Sequence, residues 1–148
     1  MNNIGYDYLI YTDGGYSVNK DVGAFAYVIL KGDTIVKSKA YPIAHETNNR
    51  AELKAIIAGC WQCPEGSTIL VRSDSQYSIY TLQGKWSRRK NQDLFEVWDK
   101  KIIKEKKLNV TLEWVKGHNG DQWNEYCDQL CNEVAGFDLN EEFAKYKK

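Results

Sequence analysis

Four acidic side chains, Asp13, Glu52, Asp74 and Asp128, are the residues from which a chemistry can be argued. Asp13 follows the apolar run Tyr8-Leu9-Ile10-Tyr11 and precedes Gly14-Gly15, while Asp74 follows Ile69-Leu70-Val71. Each run reads as a buried strand, so both acids are placed at strand ends, where an acid ordinarily begins a turn. The two glycines after Asp13 allow a sharp turn and a close backbone approach to something outside. Glu52 falls in the first turn of a helix, where Asn49 offers it a capping-box partner. Asp128 sits mid-helix beside the apolar arc of Trp123, Cys127 and Leu130, and Asn124, four residues earlier, shares that border. Singly, each acid has an ordinary structural use. Gathered without a cation, four carboxylates would repel and several would have to bind protons. Two Mg²⁺ ions about 4 Å apart, bridged by shared carboxylates, remove that conflict and form the usual clamp for in-line attack on a phosphodiester. Oxygen-only ligands argue for Mg²⁺ or Mn²⁺ and against zinc.

Such a cluster requires strands that end side by side. The pattern predicts a strand closing at Tyr11, a second strand at 24–30, a turn at Lys31-Gly32-Asp33, and a third strand at 34–41 that Pro42 ends. Thr47-Asn48-Asn49 supplies cap chemistry for a helix carrying Leu53, Ile56, Ile57 and Cys60, which Pro64-Glu65-Gly66 stops. A fourth strand spans 67–73, and Asp74-Ser75 can cap a short helix after it. Leu94, Val97, Trp98, Ile102 and Ile103 mark an amphipathic helix, 110–115 a fifth strand, and about 121–134 a last helix that Gly136 ends. Three strands, helix, strand, helices, strand, helix is the order of an α/β mixed sheet: an antiparallel meander of three strands plus two parallel strands joined by helical crossovers. If the first and fourth strands are parallel neighbours, Asp13 and Asp74 meet at the sheet edge where such folds open their crevices.

At 148 residues with neither repeat nor linker, the chain reads as one domain, 1–148, with 137–148 a tail or short helix. Lys plus Arg equals Asp plus Glu at 20 each, so any nucleic-acid partner must be met by a local basic patch. No signal peptide or membrane-length apolar run is legible, which points to a cytoplasmic protein with no membrane partner, working as a monomer. Cys60-Trp61-Gln62-Cys63 and the Cys127/Cys131 pair admit a zinc or redox reading. Cys60 and Cys131 fall on apolar helical faces, however, which favours buried thiols.

Five segments, Tyr11-Thr12-Asp13-Gly14-Gly15, Thr47-Asn48-Asn49-Arg50-Ala51-Glu52-Leu53, Ser73-Asp74-Ser75-Gln76-Tyr77, Val115-Lys116-Gly117-His118-Asn119-Gly120 and Asn124-Glu125-Tyr126-Cys127-Asp128-Gln129-Leu130, resemble the type 1 ribonuclease H family in order and spacing. The resemblance extends to about Ala135. It implies a ribonuclease H-like fold and hydrolysis of the RNA strand of an RNA/DNA hybrid, leaving 5′-phosphate and 3′-hydroxyl ends. It further implies that Asp13 and Asp74 are shared between two metal ions, with Asp128 on the water-activating ion and Glu52 on the other. His118 matches the family's mobile loop histidine, a role suited to an imidazole between glycines. His45 matches no motif and reads as a surface residue.

By the same resemblance, Asn48, Asn49 and Gln76 match positions that contact the nucleic acid near the cut, and Asn19 falls at the corresponding loop position. Short amides that both donate and accept suit 2′-hydroxyl recognition across a wide minor groove. Residues 84–107 hold nine basic and four acidic side chains, a plausible phosphate track that includes Arg88, Arg89 and Lys90. Trp86 among them is either a stacking surface or a core anchor. The family's protruding extra helix and basic loop have no room here, so the chain resembles a compact form from which weaker, more salt-sensitive binding is expected. The first loop also replaces the family's Gly-Asn-Pro-Gly with Val18-Asn19-Lys20-Asp21. Two alternatives remain at this level: a same-fold nuclease cutting another nucleic acid, and a non-catalytic hybrid-binding domain, against which stands the presence of all four acids.

Overall fold

The computed structural model describes residues 5–117 and 121–136; His118 and the 137–148 tail lie outside the described residues. The apolar run at 8–11 becomes part of the middle strand of a five-stranded sheet ordered β3-β2-β1-β4-β5. β1 (Tyr8–Ser17), β2 (Val22–Lys31) and β3 (Thr34–Ile43) form the antiparallel meander. β4 (Thr68–Ser73) runs parallel to β1, and β5 (Asn109–Trp114) parallel to β4. The mixed sheet expected from the element order is therefore the one observed.

A central strand covered on both sides needs apolar residues on both, which is why β1 reads as a continuous run. Leu9 and Tyr11 pack with Val28, Leu30, Leu70 and Cys127 on the face covered by α4 (Gln122–Ala135). Ile10 packs with Ile29, Ile69 and Val71 on the opposite face, beneath α1 (Asn48–Trp61), α2 (Gln76–Leu82) and α3 (Gln92–Val97). Cys60 and Cys63 belong to the α1 face and Cys127 and Cys131 to the α4 face; all four are free and buried. The sheet separates the two pairs, so they cannot share a metal. Burial pushes the Cys63 thiol up to about 11, away from thiolate reactivity. Among the described residues no helix is long and apolar enough to cross a membrane.

Several local expectations are corrected. Asp13 does not end the first strand: β1 continues to Ser17, and Gly14 and Gly15 pair with Phe25 and Ala24 rather than turning. Pro42 does not end the third strand either, for it lies within β3 opposite Ala24. β3 is an edge strand, whose outer backbone has no ladder bond for a proline to interrupt. Thr47 is the N-cap of α1, its hydroxyl accepting from the Arg50 N–H at 3.2 Å. Asn49 is thus a helical residue, the Asn49–Glu52 capping box does not form, and Glu52 lies in the second turn. The amphipathic helix predicted around 94–103 is α3 followed by π-helical turns over Trp98–Glu105. That widening keeps Leu94, Trp98 and Ile102 buried but leaves Val97 and Ile103 39% and 41% exposed.

Candidate active site

The parallel ladder between β1 and β4 runs to the pair Thr12–Ser73, and the next residues on the two strands are Asp13 and Asp74. Asp13 follows Leu9 and Tyr11 by the two-residue alternation of a strand, so it faces α4. Glu52 arrives from the other side of the sheet. Gly14 makes this possible, since a Cβ there would stand 2.7–2.9 Å from the backbone of Ala51 and Glu52. The glycine serves close packing of α1 on β1 rather than the approach of an outside phosphate. Carboxylate oxygens of Asp13, Glu52 and Asp74 all come within 4.8 Å of one another. Asp128 is not part of that group of three. It approaches Asp13 from α4, closely enough for its charge to act on Asp13.

The electrostatics follow from this crowding. Burial pushes the Asp13 carboxyl well above the usual carboxylate range, and the charges of Asp74 and Asp128 push it further, while the Gly14 N–H works weakly against them. Glu52 is raised for the same reasons: burial first, then Asp13 and Asp74. Glu52 is only 8% exposed, and its Oε1 is buried without a hydrogen-bond partner among the described residues. A buried carboxylate oxygen facing like charges is costly unless a cation meets it. Three convergent hard oxygen donors with one orphaned atom fit a hard divalent cation.

Asp74 and Asp13 are each held through the backbone. The Trp114 indole N–H donates to the Asp74 carbonyl at 3.1 Å, and the Ser75 hydroxyl, accepting from Ser78 N–H at 3.1 Å, caps α2 immediately after Asp74. The thiols of Cys127 and Cys131 reach the carbonyls of Tyr11 and Asp13 at 3.3 and 3.7 Å, fastening α4 along β1. Gly117 lies against Asp74, where a Cβ would fall 2.6 Å from Oδ2. Gly117, the residue before His118, is therefore in contact with the cluster; His118 itself lies outside the described residues.

The family model for RNase H matches residues 6–136, a span that contains all four acids. The chain belongs to the ribonuclease H family. Ribonuclease HI of Synechocystis sp. (strain PCC 6803) is 32% identical over 145 residues, 88% of each chain. Ribonuclease H of Syntrophomonas wolfei is 37% identical over 134 residues, covering 82% of this chain and 91% of its own. Ribonuclease H of Campylobacter concisus is 34% identical, covering 85% and 90%. The resemblance carried by the five segments is borne out for family, fold and enzyme class.

In this ribonuclease H the residues expected at the nucleic acid divide into two groups. Asn49 and Gln76 are exposed at the starts of α1 and α2, and Asn19 is exposed in the turn joining β1 to β2. Arg89 and Lys90 are exposed in the connection between α2 and α3. Asn48 is partly committed, because its Oδ1 accepts from Tyr16 N–H at 3.0 Å. Trp86 is 46% exposed and meets the Tyr80 ring edge-on at 5.2 Å, so it is anchored on one side only. Arg88 has a structural assignment: it donates to the Thr81 carbonyl at 3.1 Å and to Asp99 at 2.8 Å, and lies 4.8 Å from the Phe95 ring centroid.

Two networks escaped the sequence reading. His45 has a side chain 86% exposed, yet its Nδ1 pairs with Asp21 at 2.8 Å and its backbone N–H donates to the same carboxylate at 2.7 Å. Asp21 also receives the Tyr16 hydroxyl, which ties the β1–β2 turn to the approach of α1. The second network joins Tyr11, Arg72 and Asp121. Its signal was present as spacing: Tyr11 and Arg72 each precede a site acid by two residues, and Asp121 precedes Asp128 by two helical turns.

Proposed function

We propose that the chain is an endonuclease that hydrolyses the RNA strand of RNA/DNA hybrids by a two-metal mechanism, leaving 5′-phosphate and 3′-hydroxyl ends. The observation that carries the reading is the convergence of Asp13, Glu52 and Asp74 within 4.8 Å around a Glu52 oxygen that no donor among the described residues meets. Asp13 and Asp74 would be shared between two Mg²⁺ ions, Mn²⁺ being an acceptable substitute, with Asp128 at one ion and Glu52 at the other. When bound, the ions supply Lewis acidity to the water and the leaving oxygen of an in-line displacement.

The chain's own residues supply the rest. Asn19, Asn49 and Gln76 offer exposed amides for the 2′-hydroxyls and backbone next to the cut, and Asn48 keeps its amide N–H₂ for this while its oxygen holds Tyr16. His118, the next residue after Gly117, which lies against Asp74, takes part in proton transfer or product departure. Arg89, Lys90 and the free side of Trp86 track the DNA strand, while Arg88 braces the connection that presents them. The chain, 1–148, acts as one catalytic domain, of which the family model matches 6–136.

The deciding experiment is cleavage of matched RNA/DNA, RNA/RNA and DNA/DNA duplexes with Mg²⁺, Mn²⁺ or chelator. The expected result is metal-dependent cutting of the RNA strand of the hybrid alone. Folded protein that leaves the hybrid intact, or that cuts DNA/DNA equally well, overturns the reading. His118→Ala is expected to slow turnover without abolishing it.

A further inference from the structure

We propose that the hydrogen-bonded chain Arg72–Tyr11–Asp121 is a latch that positions α4, and with it Asp128, over the Asp13–Asp74 pair. The inference rests on the reading of Asp128 as the fourth acid of the site. Each member of the latch sits on an element that carries or leads directly into an acid. Tyr11 precedes Asp13 by two residues on β1; Arg72 of β4 precedes Asp74 by two, Asp74 following the strand's last residue, and is the register partner of Tyr11. Asp121 caps α4, and Asp128 follows it on nearly the same helical face.

The Tyr11 hydroxyl donates to Asp121 Oδ2 at 2.9 Å and accepts from Arg72 Nη1 at 3.1 Å. The other Asp121 oxygen accepts from the N–H groups of Trp123 and Asn124 at 3.0 and 3.3 Å. One carboxylate thus fastens the helix start to itself and to the sheet. Arg72 is held in turn by Glu113 of β5, and its guanidinium lies 5.9 Å from the Tyr11 ring centroid. Tyr11 is 2% exposed, so water cannot readily replace its hydroxyl as a partner.

Besides the weak thiol hydrogen bonds from Cys127 and Cys131 to the Tyr11 and Asp13 carbonyls, α4 is fastened on this face by apolar contacts: Cys127, Trp123, Tyr126 and Leu130 against Leu9, Tyr11 and Leu70. Such packing is non-directional and tolerates sliding along the helix axis. A hydrogen-bonded chain with a charge at each end does not. Asp128 lies two turns beyond Asp121 on α4, so fixing the start of the helix fixes where Asp128 meets Asp13. A slip of about 1 Å in a site of this kind is enough to damage its chemistry.

Tyr11→Phe removes the hydroxyl. Asp121→Asn keeps a good N-cap acceptor but turns an amide N–H₂ toward a hydroxyl that already accepts from Arg72. Two quantities are measured: kcat and KM on an RNA/DNA hybrid in Mg²⁺, and Mn²⁺ binding without substrate by electron paramagnetic resonance. Each variant is expected to lower kcat and weaken Mn²⁺ binding by about tenfold, as loss of a group that orients a ligand does, with KM for the hybrid within about twofold. The double variant should be no worse than either single one, since both break the same chain. Tyr8→Phe, on the same strand beside Lys31, should match the parent in both measurements. Folded Asp121→Asn protein with parental kcat and Mn²⁺ binding overturns the latch, as do additive effects in the double variant. If the parent protein fails to cut the hybrid, the activity reading falls, and Mn²⁺ binding still decides the latch.

Discussion

At Asp13, burial and the charges of Asp74 and Asp128 act in one direction, raising the carboxyl above its ordinary range, and Glu52 is raised likewise. Without metal, these groups bind more protons in the folded chain than in the unfolded one. Their contribution to stability is therefore fully present below the ordinary carboxylate range of about 4 and is lost as pH rises through the raised folded values. At neutral pH the ion-free site is a source of strain. Asp13→Asn should accordingly raise Tm in chelator at pH 7, and the gain should shrink as pH is lowered toward about 4. If Asp13 is the shared metal ligand proposed above, the same variant should abolish turnover, because an amide cannot replace an anionic ligand. Mg²⁺ should raise the parent's Tm more at pH 7 than at pH 5 and have little effect on the variant. Thermal melts over pH, with and without metal, check all of this; a variant retaining near-parental turnover would remove Asp13 from the site.

Elements show why the site was more legible than its surroundings. The acids could be read because their neighbours are long apolar runs whose period survives any detail of the ends, and the order of those runs dictates which strands are parallel. The ends themselves were misread for physical reasons. Asp13-Gly14-Gly15 has turn chemistry, yet β2 offers Gly14 and Gly15 a ladder, and pairing outweighs local preference. Pro42 reads as a stop only if the strand has two paired neighbours. Asn49 and Thr47 are both good caps; Thr47 takes the position, and Glu52 is freed to turn inward. The Tyr11–Asp121 bond spans 110 residues, beyond any local pattern. Gly14 gives the matching test at this scale. Gly14→Ala would force apart β1 and the α1 backbone at Ala51 and Glu52, an overpacking cost of about 1–3 kcal/mol. Because the displaced residue is Glu52, turnover should fall far more than the loss of folded protein explains. Activity normalised to the folded fraction from circular dichroism measures this, and parity between the two losses would mean that α1 can shift without moving Glu52.

Across the whole molecule, zero formal net charge means that no long-range field steers nucleic acid to the site. Binding must come from local cations, and the fold has already committed several of those in residues 84–107. Arg88 is held by Thr81, Asp99 and Phe95, Lys106 lies 4.7 Å from the Trp61 ring centroid, and Lys100 and Lys101 pair with Glu96 and Glu105. The sequence surplus therefore overstates the phosphate track. Arg89 and Lys90 remain as exposed cations on the connection, which lacks a protruding basic loop. Neighbouring arginines should then separate by experiment. Arg88→Ala should lower Tm, since it strips partners from a carbonyl, a carboxylate and a ring, with little change in the salt dependence of hybrid binding. Arg89→Ala should leave Tm unchanged and weaken binding to hybrids of any sequence alike. It should also reduce the slope of log affinity against log salt by about 1, the signature of one lost phosphate contact. Hybrid binding titrated at several salt concentrations, beside thermal melts of both variants, decides the assignment. An Arg89→Ala protein with the parental slope would move the DNA strand off this connection.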